Sequence, residues 1–390
     1  MVVLRPERAA VIRGRRHPWV YSQAVASASE EARSGALVPL EDGAGGTLGW
    51  GFYSPRSLIA FRLVSSGPER PGTGWILRRL EAALELRRAL GVPWEAFRVA
   101  NAEGDRLPGL IVDLYHRTLV VRPSIRGMEA ALPEVQSALG QLFPEHALFL
   151  KRDERAGRLE GLRLASGYLS GSGEGREVIG EGDVRFVVDM ARGQKTGFYL
   201  DQRENRLLAR RLAAGRRVLN LFAYTGSFSL QAAAGGAREV LSVESSPLAV
   251  ETARESARLN PSLPQQRLQW LQADAFAFLK EGQGAGEFDL VVLDPPPFAR
   301  RRSEVPGALR GYSQLNRQAI KRISPGGFLM SFSCSGAVSR EEFTHALHEG
   351  ARQAERELQL LQPLQAAPDH PVLLGHPEGE YLKGWLTRVL

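Results

Sequence analysis

From about residue 200 onward, short apolar runs alternate with amphipathic stretches. Arg217–Leu221, Glu239–Glu244, Leu268–Ala273, Asp289–Leu293 and Gly327–Phe332 read as strands. Between them, Ser227–Ala234, Ala249–Leu259, Phe276–Lys280 and residues 312–323 carry apolar positions at helical spacing. Alternation of this kind predicts an α/β fold, a parallel sheet with helices on both faces. The first 70 residues differ. Leu37–Leu40, Thr47–Tyr53 and Ile59–Val64 are short strand patterns separated by turns at Asp42–Gly46 and Ser54–Arg56, and Ser65–Gly74 reads as a linker. In the middle, Ile76, Leu80, Ala83, Leu84 and Leu90 recur at helical spacing over Trp75–Leu90. Strands are expected at Gly109–Tyr115, Thr118–Arg122, Ala147–Lys151 and Val184–Asp189, with a helix over 128–142; Arg152–Gly180, rich in Gly and charge, is expected to be partly flexible. Three domains follow: a β-rich one over 1–70, a central α+β one over 75–185, and the α/β one over 186–390.

Composition changes this picture little. Of 390 residues, 43% are hydrophobic and 24% charged, which is ordinary for a soluble globular protein. No apolar run approaches the roughly 20 residues of a membrane helix, and Arg5, Glu7 and Arg8 are not followed by a leader-like apolar block. A single cysteine excludes an internal disulfide, and no Cys/His spacing suggests a metal. His345 and His348 stand at helical spacing but lack acidic or cysteine partners. A cytoplasmic setting without membrane contact is expected. Charge is more telling. The net charge is +7, and seven basic residues (Arg300, Arg301, Arg302, Arg310, Arg317, Lys321, Arg322) face only Glu304 within 300–322. Such a patch suits a polyanion.

In an open α/β sheet, ligands bind beyond the carboxyl ends of the strands. The first strand here runs into Asn220-Leu221-Phe222-Ala223-Tyr224-Thr225-Gly226. Gly226 permits a tight turn and close backbone approach. Glu244 ends the second strand, where an acid can accept from both hydroxyls of a ribose. Asp274-Ala275 follows the third, and a carboxylate there can accept from an adenine amino group. Only one glycine occupies the first turn, unlike the G-x-G-x-x-G of dinucleotide enzymes. The series instead resembles the class I methyltransferase motifs, which implies S-adenosylmethionine as cofactor.

Asp294-Pro295-Pro296-Pro297-Phe298, after the fourth strand, resembles the motif IV of nucleic-acid methyltransferases. Ser333-Cys334-Ser335 follows the next strand, at the same rim. C5 of a pyrimidine is a poor nucleophile until a group adds to C6, and a thiolate suits that step. The bland reading of Cys334 is a small buried hydrophobe; its strand-end place beside Asp294 and its polar neighbours favour catalysis.

These residues, together with Arg16-His17-Pro18-Trp19-Val20-Tyr21-Ser22, Gly49-Trp50-Gly51-Phe52-Tyr53-Ser54, Glu103-Gly104-Asp105-Arg106-Leu107-Pro108-Gly109-Leu110 and Lys195-Thr196-Gly197-Phe198-Tyr199-Leu200-Asp201-Gln202-Arg203, give nearly the whole chain a resemblance to one family. It resembles the PUA-domain-containing ribosomal large-subunit (23S) RNA cytosine-5 methyltransferases. The resemblance implies an N-terminal PUA-like RNA-binding domain, a Rossmann-like catalytic domain, and commonly a homodimer. It implies Cys334 as nucleophile, Asp294 as motif IV acid, and a cofactor site drawing on Asn220, Phe222, Gly226, Glu244, Asp274, Ala275, Asp294, Phe198 and Gln202. Phe198 and Tyr199 serve equally well as core. Many RNA cytosine-5 methyltransferases carry a second cysteine within motif IV for release; Pro296 stands in that place here, so removal of the C5 proton is left to Asp294 or a water.

For RNA, Arg16, His17 and Trp19 combine basic and aromatic groups, and Arg300, Arg301 and Arg302 follow the DPPPF segment. The bland alternatives are a core tryptophan and a solvated loop. Whether the substrate is naked ribosomal RNA or an assembly intermediate stays open. Uracil C5 is also open, since uracil-5 enzymes use a strand-end cysteine too; a guanine nitrogen needs no covalent activation. A non-catalytic ribosome-assembly factor is the alternative from another class.

Overall fold

The computed structural model describes all residues except Arg16, Leu164 and 282–286, and leaves aside the side chains of Val11, Arg13, Arg15, Arg155, Ala156 and Glu281. The chain divides into two units, one of residues 1–177, 189–197 and 368–379, the other of 178–188, 198–367 and 380–390.

The first unit contains two sheets. Six strands within residues 2–66 pair in the spatial order Trp19–Tyr21, Ile59–Ser66, Thr47–Tyr53, Leu37–Glu41, Val2–Leu4, Val25–Ala28. Their inner faces bury Val2, Leu4, Val20, Leu40 and Phe61 around the helix Pro6–Arg15. A second sheet orders Gly167–Ser170, Ala147–Leu150, Thr118–Pro123, Leu110–Tyr115 and Ala96–Asn101. The helices Trp75–Ala89 and Leu132–Leu142 close its core through Leu80, Leu84, Val135 and Leu139. The region expected to be partly flexible holds the helix Glu154–Glu160 and the strands Gly167–Ser170 and Arg176–Glu181. Its glycines mark turns: Gly161, Gly171 and Gly175 all have positive φ.

The second unit is the α/β fold the alternation predicts. Its large sheet has seven strands, β1 (Arg217–Leu221), β2 (Glu239–Glu244), β3 (Leu268–Gln272), β4 (Phe288–Leu293), β5 (Ile323–Ser333), β6 (Leu358–Gln365) and β7 (Lys383–Val389). They lie in the order β3-β2-β1-β4-β5-β7-β6, the first five parallel and β7 antiparallel to both neighbours. The helices are α1 (Arg203–Leu212), α2 (Ser227–Ala234), α3 (Pro247–Arg258), α4 (Ala275–Glu281), α5 (Val305–Lys321) and α6 (Arg340–Gln353). Helix starts follow their chemistry. Ser246 caps α3 ahead of Pro247, and Ser339 forms a capping box with Glu342 at α6. Leu219, Leu221, Val291, Leu293 and Leu329 are buried from both sides, as a covered parallel sheet requires. Because β1, β2, β4 and β5 run in register (Leu221 opposite Val243 and Leu293, Leu293 opposite Ser331), everything that follows their carboxyl ends collects on one rim.

Candidate active site

The loop leaving β1 is the most contorted stretch of that rim. Phe222, Tyr224 and Gly226 have φ of 59°, 48° and 74°. Two non-glycine residues at positive φ so close together cost of order 1–3 kcal/mol each and persist only where the surroundings hold them. Glu244 at the end of β2 supplies that hold. Its Oε2 accepts from Tyr224 N at 2.8 Å and its Oε1 from Ser246 N at 2.8 Å. Each oxygen keeps lone-pair capacity, and the residue is half-buried. Asp274 is exposed, with Oδ1 accepting from Ala277 N at 2.9 Å. Ala275 is buried at the start of α4. Phe276, one residue on, is exposed and its ring lies 5.7 Å from Phe222 and 6.0 Å from Phe298.

Two of the expected site residues have their side chains committed elsewhere, and a third is held to glycine by its surroundings. Asn220 is buried and donates to Ser229 Oγ at 2.8 Å, which in turn bonds Ser242 Oγ at 2.7 Å. This ladder ties β1, α2 and β2 together. Phe198 lies in the core, 5.4 Å from Phe186 with the Arg206 guanidinium 4.8 Å over its ring. At Gly226 a Cβ would come within 2.4 Å of the Trp270 ring, so close packing joins the left-handed φ in demanding glycine.

Beyond β4 and β5 the rim turns chemical. Asp294 accepts from Gln202 Nε2 at 2.8 Å. The amide of Gln202 is itself oriented, because its Oε1 accepts from Asn205 Nδ2 at 2.6 Å and Asn205 also donates to Gln365 O at 3.0 Å. The donor end of Gln202 therefore faces the Asp294 carboxylate, which suits the ionised form. Tyr199 packs edge-on against Tyr224 at 5.1 Å. Burial, with the Asp294 and Asp201 carboxylates nearby, holds its phenol well above the ordinary tyrosine range, so it stays protonated. Its carbonyl accepts from the fully buried Arg206 at 2.6 Å.

Cys334 is partly exposed, and its Sγ donates to Pro295 O at 3.5 Å. The thiol thus touches the DPPPF loop. Its neighbours are not the exposed polar residues their type suggests, since Ser333 and Ser335 are both fully buried. Ser335 Oγ accepts from Phe298 N at 2.9 Å and Ala299 N at 3.2 Å and bonds Tyr312 OH at 2.8 Å, while Ser333 Oγ bonds the same hydroxyl at 2.9 Å. They staple the cysteine loop to the DPPPF loop. Burial pushes the Tyr312 phenol up to about 12, and its ring stacks on Phe298 at 4.5 Å.

One residue of this site carries no mark in the sequence. Lys383, at the start of β7, is 3% exposed, and its Nζ donates to Ser335 O (2.9 Å), Val338 O (2.8 Å) and Tyr381 O (3.1 Å). Burial pulls its ammonium down to about 8. The only available hint is compositional: the chain has five lysines against 45 arginines, and a compact ammonium suits three converging carbonyls better than a planar fork.

Comparison with known proteins agrees with this geometry. Residues 160–379 match the S-adenosylmethionine-dependent methyltransferase family and residues 2–66 a PUA-like domain. The chain belongs to the S-adenosylmethionine-dependent methyltransferases. Proteins named ribosomal RNA large subunit methyltransferase I are similar throughout. That of Serratia proteamaculans is 38% identical over 96% of each chain, and that of Tolumonas auensis 39% identical over 96% of each. Among solved structures, SMU.776 complexed with SAH superposes with a TM-score of 0.85 at 23% identity, covering 100% of this chain and 99% of that one. A second, from Streptococcus mutans, gives 0.84 at 21%, covering 99% of each. The fold expected from the sequence, a Rossmann-like methyltransferase domain with an N-terminal PUA-like domain, is the one found.

As an S-adenosylmethionine-dependent methyltransferase, the chain has residues that fit its cofactor. Glu244 would offer acceptor capacity to the ribose hydroxyls, the exposed Asp274 carboxylate would accept from the adenine amino group, and the adjacent rings of Phe222 and Phe276 would suit its face.

The residues proposed for RNA contact fall into two groups. Arg16 lies outside the described residues. In the first unit, His17 Nδ1 accepts from Trp19 N at 3.0 Å and His17 Nε2 pairs with Glu378 at 3.0 Å. Trp19 Nε1 donates to Glu103 at 2.8 Å, and its ring sits 4.4 Å from His376. Both residues are half-buried members of one cluster. In the second unit, Arg300, Arg301 and Arg302 are exposed, and Arg302 is engaged by Glu342 at 2.6 Å. Among the described residues there is no group of three or more potential metal ligands and no helix long and apolar enough to cross a membrane.

Proposed function

We propose that this chain methylates C5 of a cytosine in large-subunit (23S) ribosomal RNA, with Cys334 as nucleophile and Asp294 as the acid group facing the base. The substrate class follows the relatives, which are named for the ribosomal large subunit and share 37–39% identity over nearly all of both chains. The observation that carries the chemistry is the contact of Cys334 Sγ with Pro295 O, which puts the one thiol of the chain on the lip of the DPPPF loop.

The thiolate adds to C6, forming the S–C6 bond and moving an electron pair onto C5. S-adenosylmethionine, when bound, supplies the electrophilic methyl group. Asp294, oriented by Gln202, accepts from the exocyclic amine of the base; the C5 proton leaves to this carboxylate or a water beside it, and the S–C6 bond breaks. Tyr199, protonated at all working pH, serves as a donor and wall.

The test is transfer of labelled methyl to large-subunit RNA followed by nucleoside mass spectrometry. Wild type yields 5-methylcytidine, and Cys334→Ala loses about 10³-fold or more of the rate with unchanged SAH affinity. Undiminished methylation by that variant would sink the covalent mechanism, and 5-methyluridine as product would replace the base. A protein that transfers no methyl at all would be a binding factor.

A further inference from the structure

The mechanism above leaves Lys383 unused, although it is the most unusual ionisable group near the thiol. Its ammonium is buried against three carbonyls: Ser335 O, Val338 O and Tyr381 O take its three protons. Removing an ammonium from water costs several kcal/mol even after relaxation, and carbonyl dipoles offset that only in part. A neutral residue would close the same core more cheaply, so the charge itself calls for an explanation.

Two of the three acceptors flank the cysteine loop. Ser335 directly follows Cys334, and Val338 closes the turn through Val338 N to Ser335 O at 3.1 Å. Tyr381 donates its hydroxyl to Asp201, whose carbonyl accepts from Ala367 N at 2.9 Å. One ammonium therefore pins the loop bearing the thiol and the strand start behind it. Tyr199, Tyr312 and Lys383 each interact electrostatically with the thiol, which also touches the loop that begins at Asp294, and Lys383 feels Glu380, Glu342 and Arg340 as well. The two phenols stay neutral, whereas Lys383 brings a positive charge against the carbonyl of the residue that follows the cysteine.

We propose that Lys383 is a positioning residue for Cys334: it fixes the loop that carries the sulfur and provides the positive charge against which the thiol ionises, its proton leaving to water. This rests on the covalent reading of Cys334 for its purpose, but not for its test. The charge is present below about pH 8 and is lost as pH rises through that value, so the thiolate is favoured where the reaction runs.

Because Cys334 is the chain's one cysteine, alkylation by iodoacetamide followed by intact mass reads its ionisation directly across pH 5.5–9.5. Wild type is expected to show an apparent thiol pKa below the free value of about 8.5. Lys383→Met should raise it by about 1, seen as roughly tenfold slower alkylation at pH 7. Lys383→Arg keeps the charge but cannot aim three donors at the same carbonyls, so it should keep the low thiol pKa while lowering kcat for methyl transfer. A Lys383→Met profile superimposable on wild type overturns the proposal. If that variant does not fold, wild type still decides, since a thiol pKa at or above 8.5 overturns it as well. Methylation by Cys334→Ala would instead overturn the covalent reading and leave the alkylation result standing.

Discussion

The two units each hold a set of polar side chains away from water, and the two sets are built differently. In the first unit Arg98 forks onto Asp113 at 2.8 and 2.9 Å, Asp113 also accepts from Thr196 at 2.6 Å, and Asp369 accepts from Arg98 N at 2.9 Å. Arg87 makes a second fork onto Asp105 at 2.6 and 2.7 Å and donates to Asp369 O at 2.7 Å. Donors and acceptors there are spent on one another. On the rim of the second unit, Glu244 and Asp274 accept from backbone N–H groups and keep acceptor capacity, Asp294 accepts from the Gln202 amide, and Cys334 is partly exposed. A closed network of charges holds a fold together; an open one, held from behind, is ready for a ligand.

The largest expected effect comes from breaking the closed network. Asp113→Ala strands the Arg98 guanidinium in the interior, and removal of one partner of a buried pair costs about 3–5 kcal/mol. Urea or thermal unfolding should show a loss of that size. By the same comparison, Cys334→Ala should leave the unfolding midpoint within the scatter of wild type while removing activity. A rim that unfolded as readily as the network when cut would erase the distinction.

Opening the rim further gives a smaller effect of another kind. Glu244→Ala removes acceptors for the ribose hydroxyls and the tether on Tyr224 N, a residue at φ 48°. Charged hydrogen bonds are worth about 1.5–3 kcal/mol, so calorimetric affinity for SAH should fall roughly 10- to 100-fold. Stability should fall by less than in Asp113→Ala. Unchanged SAH binding would remove Glu244 from the cofactor site.

How much of this was legible follows the same division. The parallel sheet was, because β1 and β4 are largely apolar runs buried on both faces and bounded by turns, with the apolar core of β2 beside them. So was the order of rim residues, since in a covered parallel sheet strand ends must coincide. Strands of three residues such as Val2–Leu4 and Trp19–Tyr21 carry too little pattern to be seen, and β6 reads LQLLQPLQ with most positions exposed at the edge of its sheet. Burial by distant partners was invisible too. Asn220 looks like a ligand contact from its place in the loop sequence, yet Ser229, itself bonded to Ser242, claims it. Phe198 sits in the most specific motif of the chain and turns into the core. Lys383 is a lone lysine in a strand, and only the convergence of carbonyls from residues 335, 338 and 381 makes it an interior cation. Position along a strand tells which residues reach the rim, whereas partners decide which of those stay available.

That rule reaches the basic cluster and yields the smallest effect. Arg300, Arg301 and Arg302 are equivalent in sequence, but Arg302 bonds Glu342 at 2.6 Å and Ala337 O at 3.1 Å, whereas Glu304 takes only the backbone N–H groups of Arg300 and Arg301. An arginine already paired releases fewer counterions when it meets a phosphate. Arg300→Ala and Arg301→Ala should therefore each lower the slope of log affinity for RNA against log salt by about 0.7–0.9, with a few-fold weaker binding. Arg302→Ala should leave the slope nearly unchanged and the unfolding midpoint close to that of wild type, since exposed surface pairs contribute little. Equal slopes for all three variants would mean that the Glu342 pairing does not withhold Arg302 from RNA, and that the contrast between spent and available groups stops at the protein interior.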